Sequence, residues 1–521
     1  MNTRTRREFL EHAGALGLGA IFLPATATVR RAGAAEGVVD AKQVPGLIFE
    51  KIESGGIAAY SYFIGDTRSG KAAVIDPRRD VEVYVELAET HGLKITHAVE
   101  THIHADFVSG SRELADRTGA GIFASVEGGA KYGFPVQPVH HGDELKVGGI
   151  VLKAIHTPGH TPEHMAYLAS ARGQADAAWA LFTGDFLFAG SVGRPDLMGV
   201  ENTGKLAQQL FESLRNAFKD LPDAVPICPA HGPGSPCGAG IVARKGVPTL
   251  GTERHSNPAL QFHEEAAFID DLLFRQPPVP YYWPRMKKIN AQGPKVLGKL
   301  PEPKLLNPRE FETLIADETV QLLDTRHMLG FGGGHIAGAV NMGYSPSISM
   351  WGGWLLDPER PIAVVLPPNG RAEEVVAWLV RVGLTDVTAI LDGGMDAWVK
   401  AGKGFETIDQ IPVQTLNARM RADDLVVLDV RQPMEWDQGH LPGARYLFLP
   451  EIPKRLAELD RSKPLAAFCH TGYRASIAAS LLKRAGFDVC NVPGSFDAWL
   501  AAGYDVAVPQ RAGRASDTRR A

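Results

Sequence analysis

The chain has little cysteine, no dense basic cluster and, in its body, no long hydrophobic run. Four cysteines in 521 residues exclude a scaffold held together by disulfides. No segment reaches 18 consecutive apolar residues, so we expect no membrane span in the mature chain. Lys and Arg (54) are fewer than Asp and Glu (59) and are dispersed, so nucleic acid is not an expected partner. The length predicts about three domains of ~150 residues.

Histidine is unevenly distributed along this chain. Nine of the 17 histidines lie between His91 and His164. Imidazole is the commonest metal ligand in proteins. The clustering is therefore the first indication of metal chemistry.

The N-terminus has the features of a targeting segment. Residues 5–10 read Thr-Arg-Arg-Glu-Phe-Leu, a weakly apolar run covers Ala13–Leu23, and Ala32-Gly33-Ala34 is a small-x-small cleavage site. The alternative is a basic amphipathic start or a membrane anchor, but this run is too short to span ~30 Å of hydrocarbon. The segment resembles a twin-arginine (Tat) export signal. That resemblance implies removal of residues 1–34 and a folded, cofactor-loaded protein in the periplasm.

Short β runs alternate with helical patterns over residues 46–251, which indicates an α/β domain. Residues 252–305 combine helix with a Pro-rich stretch, Gln276–Pro284, and are predicted to form a connector. Residues 510–521 are polar and Arg-rich, so we expect a disordered tail.

The last 200 residues contain an internal repeat. Leu322–Arg326 matches Val427–Arg431, and Gly334–Ala339 matches Gly439–Ala444 at the same offset of 105 residues. Two copies of an α/β domain of ~100 residues explain this pattern. We place them at 306–405 and 410–509.

Four polar segments each follow an apolar strand, which predicts that their side chains meet at one sheet edge. They are Thr101–Phe107, Thr157–Thr161, Thr183–Asp185 and Pro229–Gly232. The set resembles the metallo-β-lactamase superfamily, over roughly residues 46–300. In dinuclear members the first segment reads His-x-His-x-Asp-His, but here Phe107 takes the place of the last His. A complete second metal cage is therefore not expected.

The resemblance narrows to persulfide dioxygenases, and it implies a single Fe(II) ion. Two imidazoles and a carboxylate are the ligand set of non-haem iron sites with open positions for O₂ and substrate. Other polar groups then orient these ligands or bound water. The implied ligands are His102, His160 and Asp185, and the implied orienting groups are His104, Asp106 and His231.

A second ligand set at this site stays open. A zinc hydrolase would use His102, His104 and His160 around one tetrahedral ion.

Arg194 lies nine residues after Asp185, where the family places an Arg that helps to hold the glutathione part of the substrate. A guanidinium binds a carboxylate bidentately. The other interpretation of Arg194 is an ordinary salt bridge.

The segment Cys469–Arg474 follows an apolar strand, Leu465–Phe468, and precedes a predicted helix, Ala475–Ala485. Backbone N–H groups and a helix N-terminus beside the sulfur would stabilise a thiolate. The loop resembles that of rhodanese sulfurtransferases, which implies catalytic roles for Cys469 and Arg474. Four residues separate the two, one fewer than in a related phosphatase loop, which suits a single persulfide sulfur. The alternative is an inert buried cysteine.

The first repeat lacks this chemistry. Alignment of Arg371 with Arg474 places Leu366 where the second repeat has Cys469, so no persulfide can form there. We predict an inactive rhodanese-like domain at 306–405. Cys490 is expected in the core, and a disulfide between Cys228 and Cys237 has no support from the sequence.

The expected fold is α/β: a metallo-β-lactamase αββα sandwich followed by two rhodanese-like α/β domains. The expected function is oxidation of a low-molecular-weight persulfide by O₂ to sulfite and thiol, coupled to sulfur transfer involving thiosulfate or sulfite. A zinc-dependent, glyoxalase-II-like thioester hydrolase and a sulfurtransferase with an inert N-terminal domain are the rivals. The thiol carrier, the direction of transfer and the oligomeric state, including a homodimer, are left open.

Overall fold

The computed structural model describes residues 40–171, 177–238 and 248–508. The predicted signal (1–34) and tail (510–521) lie outside the described residues. In the part of the chain that is described, no helix is long and apolar enough to cross a bilayer.

The N-terminal domain contains two sheets. The first has the order β1-β2-β3-β4-β5-β6, antiparallel over its first three strands and parallel from β3 onward. Its strands are β1 (Leu47–Ser54), β2 (Ala59–Asp66), β3 (Lys71–Ile75), β4 (Lys94–Val99), β5 (Gly121–Ser125) and β6 (Gln137–Val139).

The second sheet has the order β13-β10-β9-β8-β7 and is antiparallel except for the β10–β13 pair. A two-stranded hairpin, β11 with β12, follows β10 in the chain. The strands are β7 (Glu144–Val147), β8 (Ile150–His156), β9 (Met165–Ala171), β10 (Ala178–Gly184), β11 (Leu187–Phe188), β12 (Ser191–Val192) and β13 (Ile227–Pro229).

Helices cover the outer faces of both sheets. Successive side chains of a strand point to opposite faces, so Tyr62 joins the core between the sheets while Phe63 packs outward with Tyr84 of α1. The resulting αββα layers confirm the predicted sandwich. The helices of this part are α1 (Glu82–Thr90), α2 (Ser111–Thr118), α3 (Val200–Asn216), α4 (Leu250–Ser256), α5 (Glu265–Phe274) and α6 (Trp283–Gln292).

The first repeat forms a parallel sheet of order β14-β18-β17-β15-β16. Its central strand, β17, is buried along its whole length, as expected for a parallel strand covered on both faces. The elements are β14 (Lys304–Leu306), α7 (Pro308–Ile315), β15 (Gln321–Asp324), α8 (Met328–Gly333), β16 (Val340–Asn341), α9 (Ile348–Leu355), β17 (Ile362–Val365), α10 (Ala372–Arg381), β18 (Val387–Leu391) and α11 (Gly394–Lys400).

The second repeat has the same strand order, β19-β23-β22-β20-β21, again all parallel. The predicted duplication is therefore confirmed at the level of topology. The elements are β19 (Asp409–Gln410), α12 (Val413–Arg421), β20 (Val426–Asp429), α13 (Pro433–Gln438), β21 (Arg445–Tyr446), α14 (Ile452–Arg455), β22 (Leu465–Phe468), α15 (Tyr473–Arg484), β23 (Val489–Asn491) and α16 (Ser495–Ala501).

Two elements differ from what the sequence pattern predicts. The pattern predicts a helix over Val108–Thr118, whereas helix α2 begins at Ser111, and the N–H groups of Val108 and Ser109 bond to the Arg381 oxygen and to Asn290. The extended stretch expected over Gln276–Pro284 becomes helix α6 at Trp283, with Pro284 in the first turn, where a proline is tolerated.

Candidate metal centre and sulfur-transfer loop

The first of the four polar segments, Thr101–Phe107, follows strand β4, and the carboxylate of Asp76 holds its first residue in place. Asp76 accepts hydrogen bonds from the backbone N–H (2.7 Å) and the hydroxyl (2.8 Å) of Thr101. That hydroxyl oxygen lies 2.9 Å from Nδ1 of His102. Because the hydroxyl proton points to Asp76, the oxygen accepts the Nδ1 proton of His102. The Nε2 lone pair of His102 is then available to a metal.

His160 is oriented in the same manner. Its Nδ1 lies 2.8 Å from the backbone oxygen of Arg194, to which it donates, so that Nε2 carries the lone pair. Burial, with a smaller contribution from neighbouring cations and imidazoles, holds the pKa of both His102 and His160 well below the usual value. Neutral imidazole is the form that binds a metal.

Asp185 follows strand β10, and Gly184 and His164 set its position. Gly184 has φ +52°, and a Cβ there would lie 2.4 Å from Nε2 of His164, so only glycine fits. The Asp185 N–H donates to that Nε2 (3.0 Å), while Nδ1 of His164 lies 2.7 Å from the Thr157 hydroxyl. Burial lowers the pKa of His164 to about 3, so it serves as a neutral acceptor.

The three predicted ligands converge on one point. Asp185 Oδ2 lies 3.7 Å from His102 Nε2 and 3.4 Å from His160 Nε2. All three atoms are buried, and none has a hydrogen-bond partner among the described residues. Buried polar atoms without a partner are rare and costly. A bound cation satisfies all three, so the residues present fit a metal ion.

His231 holds the ligand Asp185 from behind. Its Nδ1 donates to Asp185 Oδ1 (2.7 Å) and its Nε2 to Asp106 Oδ2 (2.8 Å). Burial opposes the charged form, but the carboxylates of Asp185 and Asp106 raise the pKa of His231 to about 10. These contacts join Asp106, His231 and Asp185 in one chain, and the orienting roles of His231 and Asp106 stay predictions.

His104 points away from the three ligands. Its Nε2 lies 3.1 Å from Asp76 Oδ1 and 3.3 Å from Glu100 Oε2, in a separate buried group. The alternative zinc set, which needs His104 beside His102 and His160, is therefore not the set that the structure assembles. His104 instead ties the loop to Asp76.

Arg194 is placed differently from a free substrate-binding group. It is 1% exposed, and its guanidinium pairs bidentately with Asp196 (2.6 and 2.8 Å) and donates to the backbone oxygens of Pro236 and Pro277. A substrate carboxylate would have to displace Asp196. A role for Arg194 in substrate binding therefore stays a prediction.

The second predicted centre lies directly after strand β22. Cys469 is fully buried, and the N–H of Gly472 points at its Sγ from 3.1 Å. Gly472 has φ +102°, a conformation that favours glycine, and α15 begins at the next residue. The loop thus directs a backbone donor and a helix N-terminus at the sulfur, as the sequence predicts.

Arg474 is held by Glu435 of helix α13. Its Nη1 and Nη2 lie 2.5 and 2.7 Å from the two carboxylate oxygens. Burial opposes both charges, yet the pairing lowers the pKa of Glu435 and raises that of Arg474. The predicted catalytic role of Arg474 is untested by this arrangement, which fixes the guanidinium beside the cysteine loop.

The corresponding loop of the first repeat carries no thiol. Leu366 directly follows β17 as Cys469 follows β22. The next two residues, Pro367 and Pro368, have no N–H to donate. All four cysteines of the chain are free and buried, so Cys228 and Cys237 form no disulfide.

Several residues of the metal centre escaped the sequence analysis. Asp76 lies directly after strand β3, and this position at the end of an apolar run is the available signal. His164 lies within the histidine-rich segment, but nothing in its spacing showed that it holds Asp185. Asn290 contacts the metal loop across 181 residues or more, for which the sequence offers no signal.

The fold and the two centres define a two-part enzyme: a metal-binding αββα domain joined to a sulfurtransferase-type pair of domains. Family models agree. The Metallo-beta-lactamase superfamily matches residues 54–231, and the Rhodanese-like domain matches residues 307–401 and 412–502.

Individual relatives point the same way. Mouse mitochondrial persulfide dioxygenase ETHE1 is 31% identical over 213 residues, 40% of this chain and 76% of that protein. A hydroxyacylglutathione hydrolase of Rhodopseudomonas palustris is 34% identical over 135 residues, but this match spans 26% of the chain and only 50% of that protein. A crystal structure of a Staphylococcus aureus metallo-beta-lactamase is 34% identical, with TM-score 0.59, and covers 66% of this chain and 99% of its own. The chain belongs to the metallo-beta-lactamase superfamily and carries two rhodanese-like domains.

Proposed function

We propose that the protein is an iron-dependent persulfide dioxygenase coupled to a rhodanese-type sulfurtransferase. The convergence of His102 Nε2, His160 Nε2 and Asp185 Oδ2, all buried and unpartnered among the described residues, is the observation that supports it. Two imidazoles and one carboxylate suit a non-haem Fe(II) ion that retains open positions.

A hydrolase with two metal ions has less support. The groups that could build a second cage, Asp106 and His231, are bonded to each other at 2.8 Å, and His231 is also bonded to Asp185. Phe107, at the remaining position, is 1% exposed and belongs to an apolar cluster. This arrangement favours one ion held by three ligands.

In the proposed reaction, a persulfide, O₂ and water give a thiol and sulfite: RSSH + O₂ + H₂O → RSH + SO₃²⁻ + 2H⁺. The ferrous ion would supply the activation of O₂ and the binding of sulfur. The protein keeps both imidazoles neutral and in the correct tautomer through Thr101 and the Arg194 carbonyl. His231 holds the Asp185 carboxylate in place.

At the second centre, the Cys469 thiolate attacks the outer sulfur of thiosulfate. The S–S bond of thiosulfate breaks, sulfite leaves, and Cys469 carries a persulfide. An acceptor thiol, or sulfite in the reverse direction, then takes that sulfur and restores the thiolate. The N–H of Gly472, 3.1 Å from Sγ, stabilises the negative sulfur at each stage.

The test is metal analysis and O₂ uptake on anaerobically purified protein supplied with glutathione persulfide. We expect about one iron per chain, and we expect His102→Ala and Asp185→Ala to lose iron and O₂ uptake together. His140→Ala is the matched control, because that side chain is exposed and lies outside the centre. Iron and activity in the His102→Ala protein would contradict the proposal.

The competing function is zinc-dependent hydrolysis of a glutathione thioester, which the relatives named hydroxyacylglutathione hydrolase favour. It requires zinc in the purified protein and thioester cleavage without O₂. The same metal analysis separates the two.

We also propose export to the periplasm by the Tat route. The support is the Arg6-Arg7 pair, the short apolar run and the Ala32-Gly33-Ala34 segment. The ligands His102 and Asp185 lie far apart in sequence and meet only in the folded chain, so iron would be bound before export.

A further inference from the structure

The metal-binding loop, residues 101–109, is held by two segments that lie far from it in the sequence. Asn290 of helix α6 makes three hydrogen bonds to it: its Oδ1 accepts from the Ser109 N–H (2.9 Å), and its Nδ2 donates to the backbone oxygens of His104 (2.8 Å) and Phe107 (2.7 Å). Asn290 is 6% exposed. One carboxamide therefore fixes the backbone on both sides of Phe107.

The inactive rhodanese-like domain contacts the same loop. The N–H of Val108 donates to the backbone oxygen of Arg381, the last residue of helix α10, at 2.7 Å. The Arg381 guanidinium pairs bidentately with Asp80 of the metal domain, with both distances 2.8 Å and both side chains less than a tenth exposed. A buried bidentate pair with fixed geometry sets the position of that backbone oxygen.

Helix α6 joins the two contacts. Arg285, five residues before Asn290, donates to the backbone oxygens of Val382 and Gly383 of the inactive domain. Phe107 lies in one apolar cluster with Trp283 and Met286 of α6 and with residues of that domain. The position where dinuclear relatives carry a metal ligand thus belongs to an apolar cluster that extends over both domains.

We propose that helix α6 and the inactive rhodanese-like domain position the metal loop, with Asn290 and the Asp80–Arg381 pair as the positioning residues. The domain without a thiol then has a specific structural role, because it keeps His102 and its flanking backbone in the geometry that binds the metal. The inference rests on the metal centre and does not depend on which reaction the centre catalyses.

Loss of a residue that holds the metal ligands from outside the coordination sphere typically weakens metal binding about 10- to 100-fold. In the full-length protein we expect Asn290→Asp and Arg381→Lys each to release Fe²⁺ to a ferrous chelator about 10 to 100 times faster. Amide hydrogen exchange over residues 101–109 should also accelerate in the metal-free protein. The absorption bands of the Co²⁺-loaded protein should shift, which a general loss of stability would not produce.

Glu373→Gln is the matched control, since this exposed residue lies at the opposite end of α10 and pairs only loosely with Arg371. The far-UV circular dichroism spectrum of the full-length chain shows that each variant is folded. If Asn290→Asp does not fold, Arg381→Lys carries the test. Unchanged metal release, exchange and Co²⁺ spectrum in a folded Arg381→Lys protein, or equal changes in Glu373→Gln, would overturn the proposal. Failure of O₂ uptake in the wild type would leave these measurements valid and would count only against the dioxygenase function.

Discussion

Replacement of Phe107 by His recreates the motif of dinuclear relatives and tests whether this one residue determines how many metal ions bind. In this structure the ring is 1% exposed, lies 4.4 Å from the His104 ring and packs in the cluster shared with the inactive domain. Of the two groups that a second ion would need, Asp106 is already bonded to His231, and His231 is bonded to Asp185 as well. We therefore expect destabilisation without a second metal.

The magnitude follows from burial. Loss of a fully buried Phe side chain costs about 1.5–3 kcal/mol of transfer free energy. An imidazole nitrogen left without a partner in an apolar cluster costs about 1–3 kcal/mol more. The total is about 2.5–6 kcal/mol. With a denaturant slope of about 3 kcal/mol per molar urea, the midpoint of the transition that reports this domain should fall by about 1–2 M.

The assay combines urea unfolding, followed by tryptophan fluorescence, with metal analysis after loading with excess Zn²⁺. Phe107→Leu is the control, because it stays apolar and should cost less than about 1.5 kcal/mol. A Phe107→His protein with two tightly bound zinc ions and an unchanged midpoint would refute the reasoning.

Three further outcomes are expected. Cys469→Ser should abolish sulfur transfer from thiosulfate while O₂ uptake with supplied persulfide persists; transfer at the wild-type rate would contradict the assignment. Leu366→Cys combined with Cys469→Ser should not restore transfer, because Pro367 and Pro368 stand where the second repeat has His470 and Thr471 and can supply no backbone N–H to the sulfur; recovered transfer would show that the thiol alone was missing. Replacement of Arg6 and Arg7 by Lys should hold an iron-loaded, active precursor in the cytoplasm, as shown by fractionation; continued export of a metal-free chain would point to the general secretory route.

The sequence predicts most of the architecture because its signals are local. The strand Leu465–Phe468 has the predicted bounds, since a continuous apolar run defines it. The repeat predicts two domains of equal topology. The three ligand candidates follow strands β4, β8 and β10. The prediction that a single sheet edge brings them together is wrong, because β4 belongs to the first sheet of the domain and β8 and β10 belong to the second.

The rest depends on contacts between distant segments. Asn290 reaches the metal loop across more than 180 residues, and Arg381 reaches Asp80 across 301, so neither contact leaves a local pattern. For Arg194 the resemblance predicts a substrate contact that stays a prediction, and no sequence pattern indicates that Asp196 and two backbone oxygens bind its guanidinium. The orientation of the His104 ring depends on Asp76 and Glu100, which lie at the ends of two different strands.

The central claim is that the His102, His160 and Asp185 site is a single-iron centre that oxidises persulfides. Its most direct test is to load the metal-free full-length protein anaerobically with Fe²⁺, add glutathione persulfide, and measure O₂ consumed and sulfite formed in one reaction. We expect one bound iron per chain and one sulfite formed for each O₂ consumed. The Asp185→Ala protein should bind no iron and form no sulfite. The claim would be contradicted if the iron-loaded protein consumed no O₂ with persulfide while the zinc-loaded protein hydrolysed a glutathione thioester.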